Sequence, residues 1–292
     1  MPTILGTPPT EPTLWALFDL DWTLIRPVRG ALFMGHEPWV WLPGRQAALQ
    51  MCRAQGYRIG VVTNQKPWPR QTMAEIQTRL TAVYQALRII DPDVLLLAAH
   101  TESAYRKPAT GFIDVLKPSI GSWFCGDAAG RPDDHSADDR NFAINAGLPF
   151  YVPEHIFGVP DVKFTANTLV IMLGAPGSGK TTWALQHGTV ISSDTYQSNR
   201  AQFLEAIQAA CMAHVAVVIA DATNPTRARR EELVLVALRT GYTPYIVHIL
   251  NPGDKRNNLR SGPEKVPAVA LAMYWKNFEP PAPDEPPVYE IG

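Results

Sequence analysis

The octapeptide Gly174-Ala175-Pro176-Gly177-Ser178-Gly179-Lys180-Thr181 constrains this chain more than any other stretch. It follows the apolar run Leu169–Leu173 and precedes the helix-compatible segment Thr182–Gln186. A glycine loop between strand and helix lets successive backbone N–H groups curve around phosphate oxygens. Lys180 then bridges β- and γ-oxygens, and the Thr181 hydroxyl is placed to ligate Mg²⁺. In this reading Gly174, Gly177, Ser178, Gly179, Lys180 and Thr181 bind ATP, and the fold around them is an α/β unit with a parallel sheet.

The residues that follow decide what the loop serves. Predicted strands over Thr189–Ser192, Val215–Ala220 and Tyr245–Leu250, with a helix over Asn199–His214, continue the α/β alternation. Asp194, just past the first of these strands, stands where a kinase needs a base for an acceptor hydroxyl. The competing reading is a helix-capping carboxylate. Asp221-Ala222-Thr223-Asn224-Pro225 ends another strand and is a candidate to organise metal or acceptor. Arg256 and Arg260, in Lys255–Arg260 ahead of Val266-Pro267 and an amphipathic stretch to Phe278, are candidates for a lid over the phosphates; a solvated basic turn is the alternative. The tail, Glu279–Pro287, is rich in Pro and Glu and is expected to be extended.

The first half repeats the pattern with different chemistry. Apolar runs end in polar signatures: Leu14–Leu20 before Asp21, Arg58–Val62 before Thr63, Val94–Ala99, and Trp123–Cys125 before Asp127. Buried parallel strands read this way, with their chemistry at the carboxyl ends. Asp19 and Asp21 form an Asp-x-Asp pair, one carboxylate suited to attack phosphorus and the other to shuttle the leaving group's proton. Attack on a phosphate dianion requires nearby positive charge. Lys107 supplies an ammonium, Thr63 a group to hold a phosphoryl oxygen, and Asp19, Asp21 and Asp127 a Mg²⁺ site, with Asp134 and Asp139 as further acidic support.

With 292 residues and 46% hydrophobic content, the chain has material for two modest cores. The join is expected in the aperiodic Val152–Asn167, dividing the chain into residues 1–160 and 161–292. A net charge of −1 excludes a bulk polycation, so any nucleic-acid contact must be local. Three widely spaced cysteines fit a reducing compartment. No signal peptide or membrane span is apparent, so the expectation is a soluble intracellular protein, nuclear or cytoplasmic by host. Nothing in the sequence indicates an oligomeric state.

The first-half motifs resemble those of the haloacid dehalogenase phosphatases, with Trp22 standing where that superfamily usually has glycine. Only about 40 residues separate Thr23 from Thr63, and about 43 separate Thr63 from Arg106, whereas a cap domain needs on the order of 50 extra. An open site, suited to polymer ends, is expected. Tyr105-Arg106-Lys107-Pro108, Gly126–Pro132, Asp139-Arg140, Gly147–Phe150 and Thr223-Asn224-Pro225 together resemble the polynucleotide kinase 3′-phosphatase family across Leu14–Phe278.

That resemblance implies two doubly wound parallel-sheet domains: a phosphatase acting on 3′-phosphate ends, then a kinase acting on 5′-hydroxyl ends. Asp19 would be the phosphorylated nucleophile, Asp21 the general acid/base and Asp194 the kinase base. DNA is the expected substrate ahead of RNA, and a ligase is the natural downstream enzyme. Ser193 stands where relatives often have arginine, so one acceptor contact is expected to be missing or supplied elsewhere. The phosphopeptide-binding domain of the eukaryotic enzymes is not expected, because the segment before Leu14 is too short to hold it. A small-molecule phosphatase fused to a metabolite kinase, and a nucleic-acid-binding scaffold with inactive sites, are the competing readings.

Overall fold

Runs such as Trp15–Phe18 and Thr168–Leu173 are apolar on successive residues, so they are stable as strands only when covered on both faces. The computed structural model describes residues 1–28, 38–67, 71–131, 134, 136–158, 162–197, 199–251 and 265–291. These form two compact units, one ending at Gly158 and the other beginning at Val162. Each run is a central strand of its own sheet.

The first unit contains β1 (Thr3–Leu5), β2 (Trp15–Phe18), β3 (Ile25–Pro27), β4 (Trp39–Trp41), α1 (Arg45–Ala54), β5 (Arg58–Asn64), α2 (Met73–Ile90), β6 (Leu95–Ala99), α3 (Ile113–Leu116), β7 (Trp123–Cys125), α4 (Asp138–Asn145), β8 (Phe150–Tyr151) and α5 (Pro153–Phe157). Its main sheet has the order β1-β6-β5-β2-β7-β8. All pairs are parallel except β1 on β6. Alternation along β2 sends Ala16 and Phe18 into one core with Leu49, Leu80 and Val83, and Trp15 and Leu17 into another with Phe112, Phe124 and Phe142. The sequence reading, which starts its first strand at Leu14, does not anticipate β1. Three residues are too few to carry a periodic signal, and only pairing with Leu96–Ala98 makes them a strand. Among the described residues, the connections from β2 to β6 hold only the β3–β4 hairpin, α1 and α2 beside β5. This agrees with the short motif spacing.

The second unit contains β9 (Thr168–Leu173), α6 (Lys180–Ala184), β10 (Thr189–Ser192), α7 (Arg200–Met212), β11 (Val217–Asp221), α8 (Arg227–Thr240), β12 (Thr243–Ile249), α9 (Ala268–Asn277) and β13 (Val288–Ile291). Its five strands are all parallel, in the order β10-β11-β9-β12-β13. Leu169, Ile171 and Leu173 pack with Phe203, Ile207, Leu233 and Tyr274 from α7, α8 and α9. Val170 and Met172 face the other way, with Ala184 of α6. Both units are therefore α/β, each built on a parallel sheet with helices on both faces. No described helix is long and apolar enough to cross a membrane.

The tail is more structured than its composition suggests. It turns at Ala282–Glu285, where Glu285 N–H donates to the Ala282 carbonyl at 3.0 Å, and then adds β13 to β12. Fully buried Arg230 of α8 meets Glu285 with two bonds, Nε to Oε1 at 2.7 Å and Nη2 to Oε2 at 2.9 Å. A buried, bidentate pair is costly to break, because the surviving charge is left without a partner. Glu285→Ala is expected to lower the stability of the second unit by about 3–5 kcal/mol, measured by urea unfolding. Burial alone would raise the Glu285 carboxyl, but the Arg230 and Ala282 bonds outweigh it and hold its pKa below the ordinary glutamate value. Its contribution is therefore complete above the unfolded pKa of about 4.3 and is lost as pH falls through the lower folded value. The parent's melting temperature should drop more steeply below about pH 4 than that of Glu285→Ala.

Candidate active sites

In a parallel sheet all carboxyl ends lie on one edge, so residues that follow different strands collect there. In the first unit this edge carries Asp19 after β2, Thr63 and Asn64 at the end of β5, and Asp127 after β7. Lys107 Nζ reaches Asp19 Oδ1 at 2.5 Å and Asp139 Oδ1 at 2.6 Å, with all three side chains nearly buried. The lysine is held from behind: Asn64 Nδ2 donates to the Lys107 carbonyl at 3.0 Å, and the Lys107 N–H returns a bond to Asn64 Oδ1 at 2.9 Å. Thr23 fixes Asp127, its hydroxyl accepting the Asp127 N–H at 3.0 Å. The site also depends on Gly126, where a Cβ would overlap the Asp139 carboxylate.

Asp19, Asp127 and Asp139 bring carboxylate oxygens within 4.8 Å of one another. Hard oxygen donors at that spacing fit a divalent cation such as Mg²⁺. Asp21, expected among the ligands, instead turns its carboxylate to Arg79 and Gln65, 3.1 and 2.7 Å away. Burial pushes the Asp19 carboxyl well above the usual carboxylate range; Lys107 pulls against this, and Asp139 and Asp127 add to it. Burial opposes the Lys107 charge too, but Asp139 and Asp19 outweigh it and raise its pKa above that of free lysine. Additional positive charge among these carboxylates would favour ionised Asp19.

Thr63 is buried, and its hydroxyl accepts from Gln65 Nε2 at 2.8 Å, leaving its own proton to donate. Trp22, between Asp21 and Thr23, has φ 65°, a left-handed conformation. That region costs an L-residue about 1–2 kcal/mol and favours glycine, which explains the usual residue at this position. The turn is nevertheless closed, with the Trp22 N–H donating to the Ile25 carbonyl at 2.8 Å.

In the second unit the phosphate loop links β9 to α6, with Gly177 at φ 79° and Gly179 at φ 100°, conformations open to glycine. Lys180 Nζ donates to the Ala175 carbonyl at 2.8 Å, folding the lysine back over the loop. Thr181 Oγ1 donates to Asp221 Oδ2 at 2.7 Å, so a hydroxyl and a carboxylate sit together as oxygen donors for Mg²⁺. Asn224, also from the segment after β11, is structural: its Nδ2 donates to the Met172 carbonyl at 2.8 Å. Asp194 lies exposed on a 3₁₀ turn, Ser193–Tyr196. Next to it, Thr195, Tyr196, Gln197, Asn199 and Gln202 line an open, uncharged groove of about 570 Å³. Arg256 and Arg260 lie outside the described residues.

Residues 15–157 match the family described as polynucleotide kinase 3 phosphatase, and residues 169–281 match an AAA domain family. The chain thus joins a polynucleotide kinase 3 phosphatase domain to an AAA-type domain. A bifunctional polynucleotide phosphatase/kinase of Schizosaccharomyces pombe is 27% identical over 315 residues, covering 92% of this chain and 76% of that protein. A relative in Acanthamoeba polyphaga mimivirus is 27% identical over 360 residues, covering 94% of this chain and 83% of that protein. The polynucleotide 3′-phosphatase ZDP of Arabidopsis thaliana is 28% identical over 165 residues, covering 49% of this chain and 24% of that protein.

The sequence pattern did not mark Arg79 as a site residue and gave Asp139 only a supporting place. The available signal for Arg79 was a charge inside the apolar stripe Ile76, Leu80, Val83 and Leu87 of α2. The family's phosphatase half also yields a test of its charge balance. Lys107→Met leaves Asp19 and Asp139 facing each other without a counter-charge, at an expected cost of about 3–5 kcal/mol to the first unit. Millimolar Mg²⁺ should raise its melting temperature more in this variant than in the parent, and EDTA should remove the difference.

Proposed function

We propose that residues 1–160 hydrolyse 3′-phosphate ends and residues 161–292 transfer the γ-phosphate of ATP to 5′-hydroxyl ends, so that one chain prepares both sides of a break for a ligase. The observation that supports this most is a cluster of charged and hydroxyl side chains at the strand ends of each unit. One joins Lys107 to Asp19 and Asp139, and the other joins Thr181 to Asp221. The fission yeast relative is a bifunctional polynucleotide phosphatase/kinase, in agreement with that pairing. DNA ends are the proposed substrate, with RNA ends as the comparison.

In the phosphatase half, an Asp19 carboxylate oxygen attacks phosphorus as the P–O3′ bond breaks, and Asp21 gives its proton to the leaving oxygen. Water then attacks the aspartyl phosphate, Asp21 takes the water's proton, and phosphate leaves with Asp19 restored. Lys107 neutralises the nucleophile and phosphoryl group, and Thr63 holds a phosphoryl oxygen. Asp19, Asp127 and Asp139 would hold a Mg²⁺, which would supply further positive charge against the phosphate dianion.

In the kinase half, the loop from Gly174 to Gly179 cradles the phosphates by its N–H groups, and Lys180 neutralises them. Thr181 and Asp221 would hold the Mg²⁺ that accompanies ATP. Asp194 accepts the 5′-hydroxyl proton as that oxygen attacks the γ-phosphorus, the bond to the β,γ-bridging oxygen breaks, and ADP leaves. Arg256 and Arg260 are proposed to close over the phosphates. The uncharged groove beside Asp194 suits a terminal nucleotide gripped by hydrogen bonds and by stacking on Tyr196.

Asp19→Asn should abolish 3′-phosphate removal and leave 5′-phosphorylation within about twofold of the parent, because an amide is a poor nucleophile and the kinase has its own framework. Lys180→Ala should do the reverse. Gel assays on end-labelled oligonucleotides read both activities. Loss of both in either variant, with an unchanged circular dichroism spectrum, rejects independent sites.

A further inference from the structure

Behind the cluster around Asp19 lies a second ionic group. Arg79 belongs to the buried face of α2, among Ile76, Leu80, Val83 and Leu87, and is 8% exposed. A guanidinium in such a stripe is retained only where its charge has a fixed partner. Nη1 donates to Asp21 Oδ1 at 3.1 Å, and Nη2 donates to Gln65 Oε1. Gln65 Nε2 then donates to Asp21 Oδ2 at 2.7 Å. The ring Arg79–Asp21–Gln65 is closed, and each Asp21 oxygen has a donor from a different element. Gln65 is itself anchored, its carbonyl 3.1 Å from His100 Nδ1.

We propose that Arg79 is the positioning residue for the phosphatase general acid/base, aiming the Asp21 carboxylate through this ring; the inference rests on the function proposed above. Lys107 is already shared by Asp19 and Asp139. A mobile Asp21 anion beside them would compete for that ammonium. Arg79 gives Asp21 a counter-charge of its own. Each carboxylate oxygen has two lone-pair sites, so one on each remains open for a proton in transit. Asp21 thereby keeps one pose through both half-reactions. It gives its proton to O3′ as the P–O3′ bond breaks, and it takes a proton from the water that forms the new P–O bond.

The test separates a step that needs this proton from one that does not. An oligonucleotide 3′-phosphate leaves as an alkoxide and requires protonation, whereas p-nitrophenyl phosphate leaves as a stable phenolate. Arg79→Met keeps the apolar contacts of the stripe, and Arg79→Lys keeps the charge without the fork. In rapid-quench single turnovers, Arg79→Met should slow 3′-phosphate cleavage by about 100-fold. Its p-nitrophenolate burst should stay at the parental rate while steady-state turnover falls, because water activation still needs Asp21. Arg79→Lys should recover most of both losses. Kinase rate and melting temperature report an intact chain, and Arg79→Lys carries the same burst-to-turnover comparison if Arg79→Met does not fold. A burst that falls as far as turnover, or rates that do not change, overturns the positioning role. A parent that turns over p-nitrophenyl phosphate but not 3′-phosphate ends overturns the proposed substrate, and the burst comparison still decides Arg79. A parent inert toward both overturns both.

Discussion

Lys107 between Asp19 and Asp139 is the interaction around which the first unit is arranged. An ammonium and two carboxylates are tolerated in a buried pocket only if they neutralise one another and their remaining bonds are made. The surrounding structure meets those conditions piece by piece. Asn64 clamps the Lys107 backbone in both directions, and the Ala128 N–H donates to Asp139 Oδ2 at 3.0 Å. Gly126 provides the space for Asp139, and Thr23 holds Asp127 beside the pair. These residues come from widely separated parts of the chain and meet because the parallel strands all end on one edge. The sheet supplies the convergence, and the ion pair sets which residues it must bring together.

The second unit applies the same economy to a different chemistry. Thr181 lies in the first turn of α6 and Asp221 ends β11, and their bond of 2.7 Å joins the phosphate loop to the neighbouring strand. Asn224 binds the same two strands from behind through the Met172 carbonyl. Arg230 holds the Asn224 and Pro225 carbonyls at 3.3 Å each while Glu285 neutralises it. A chain of bonds therefore runs from the C-terminal tail through α8 to the strand that carries Asp221. The tail is part of the kinase framework, although its Pro-rich composition reads as a loose extension.

The features legible in the sequence were those with local signatures. The phosphate loop, the Asp-x-Asp pair and the strand-ending Thr63 and Asp127 each follow an apolar run, and each stands where that placement predicts. Helix α2, Met73–Ile90, is begun by the Thr72–Glu75 capping box, a signal equally local. What escaped were features defined by a partner far along the chain. β1 exists through Ala98 and its neighbours, Arg79 matters through Asp21, and β13 through Val247 and its neighbours. Asp139 was visible as a carboxylate, but its place beside Asp19 follows from the position of Lys107. Periodicity and motif spacing carry no signal for such pairings.

In the proposed function one chain heals both ends of a strand at two separate sites. The most direct measurement uses a single oligonucleotide bearing a 3′-phosphate and a 5′-hydroxyl, incubated with the protein, Mg²⁺ and ATP and followed by mass spectrometry. The account predicts that the 3′-phosphate is lost and a 5′-phosphate gained, and that the product becomes a substrate for ligase. Omitting ATP should stop only the gain. An oligonucleotide left unchanged at either end, while free nucleotides or small phosphate esters are processed rapidly, would contradict it.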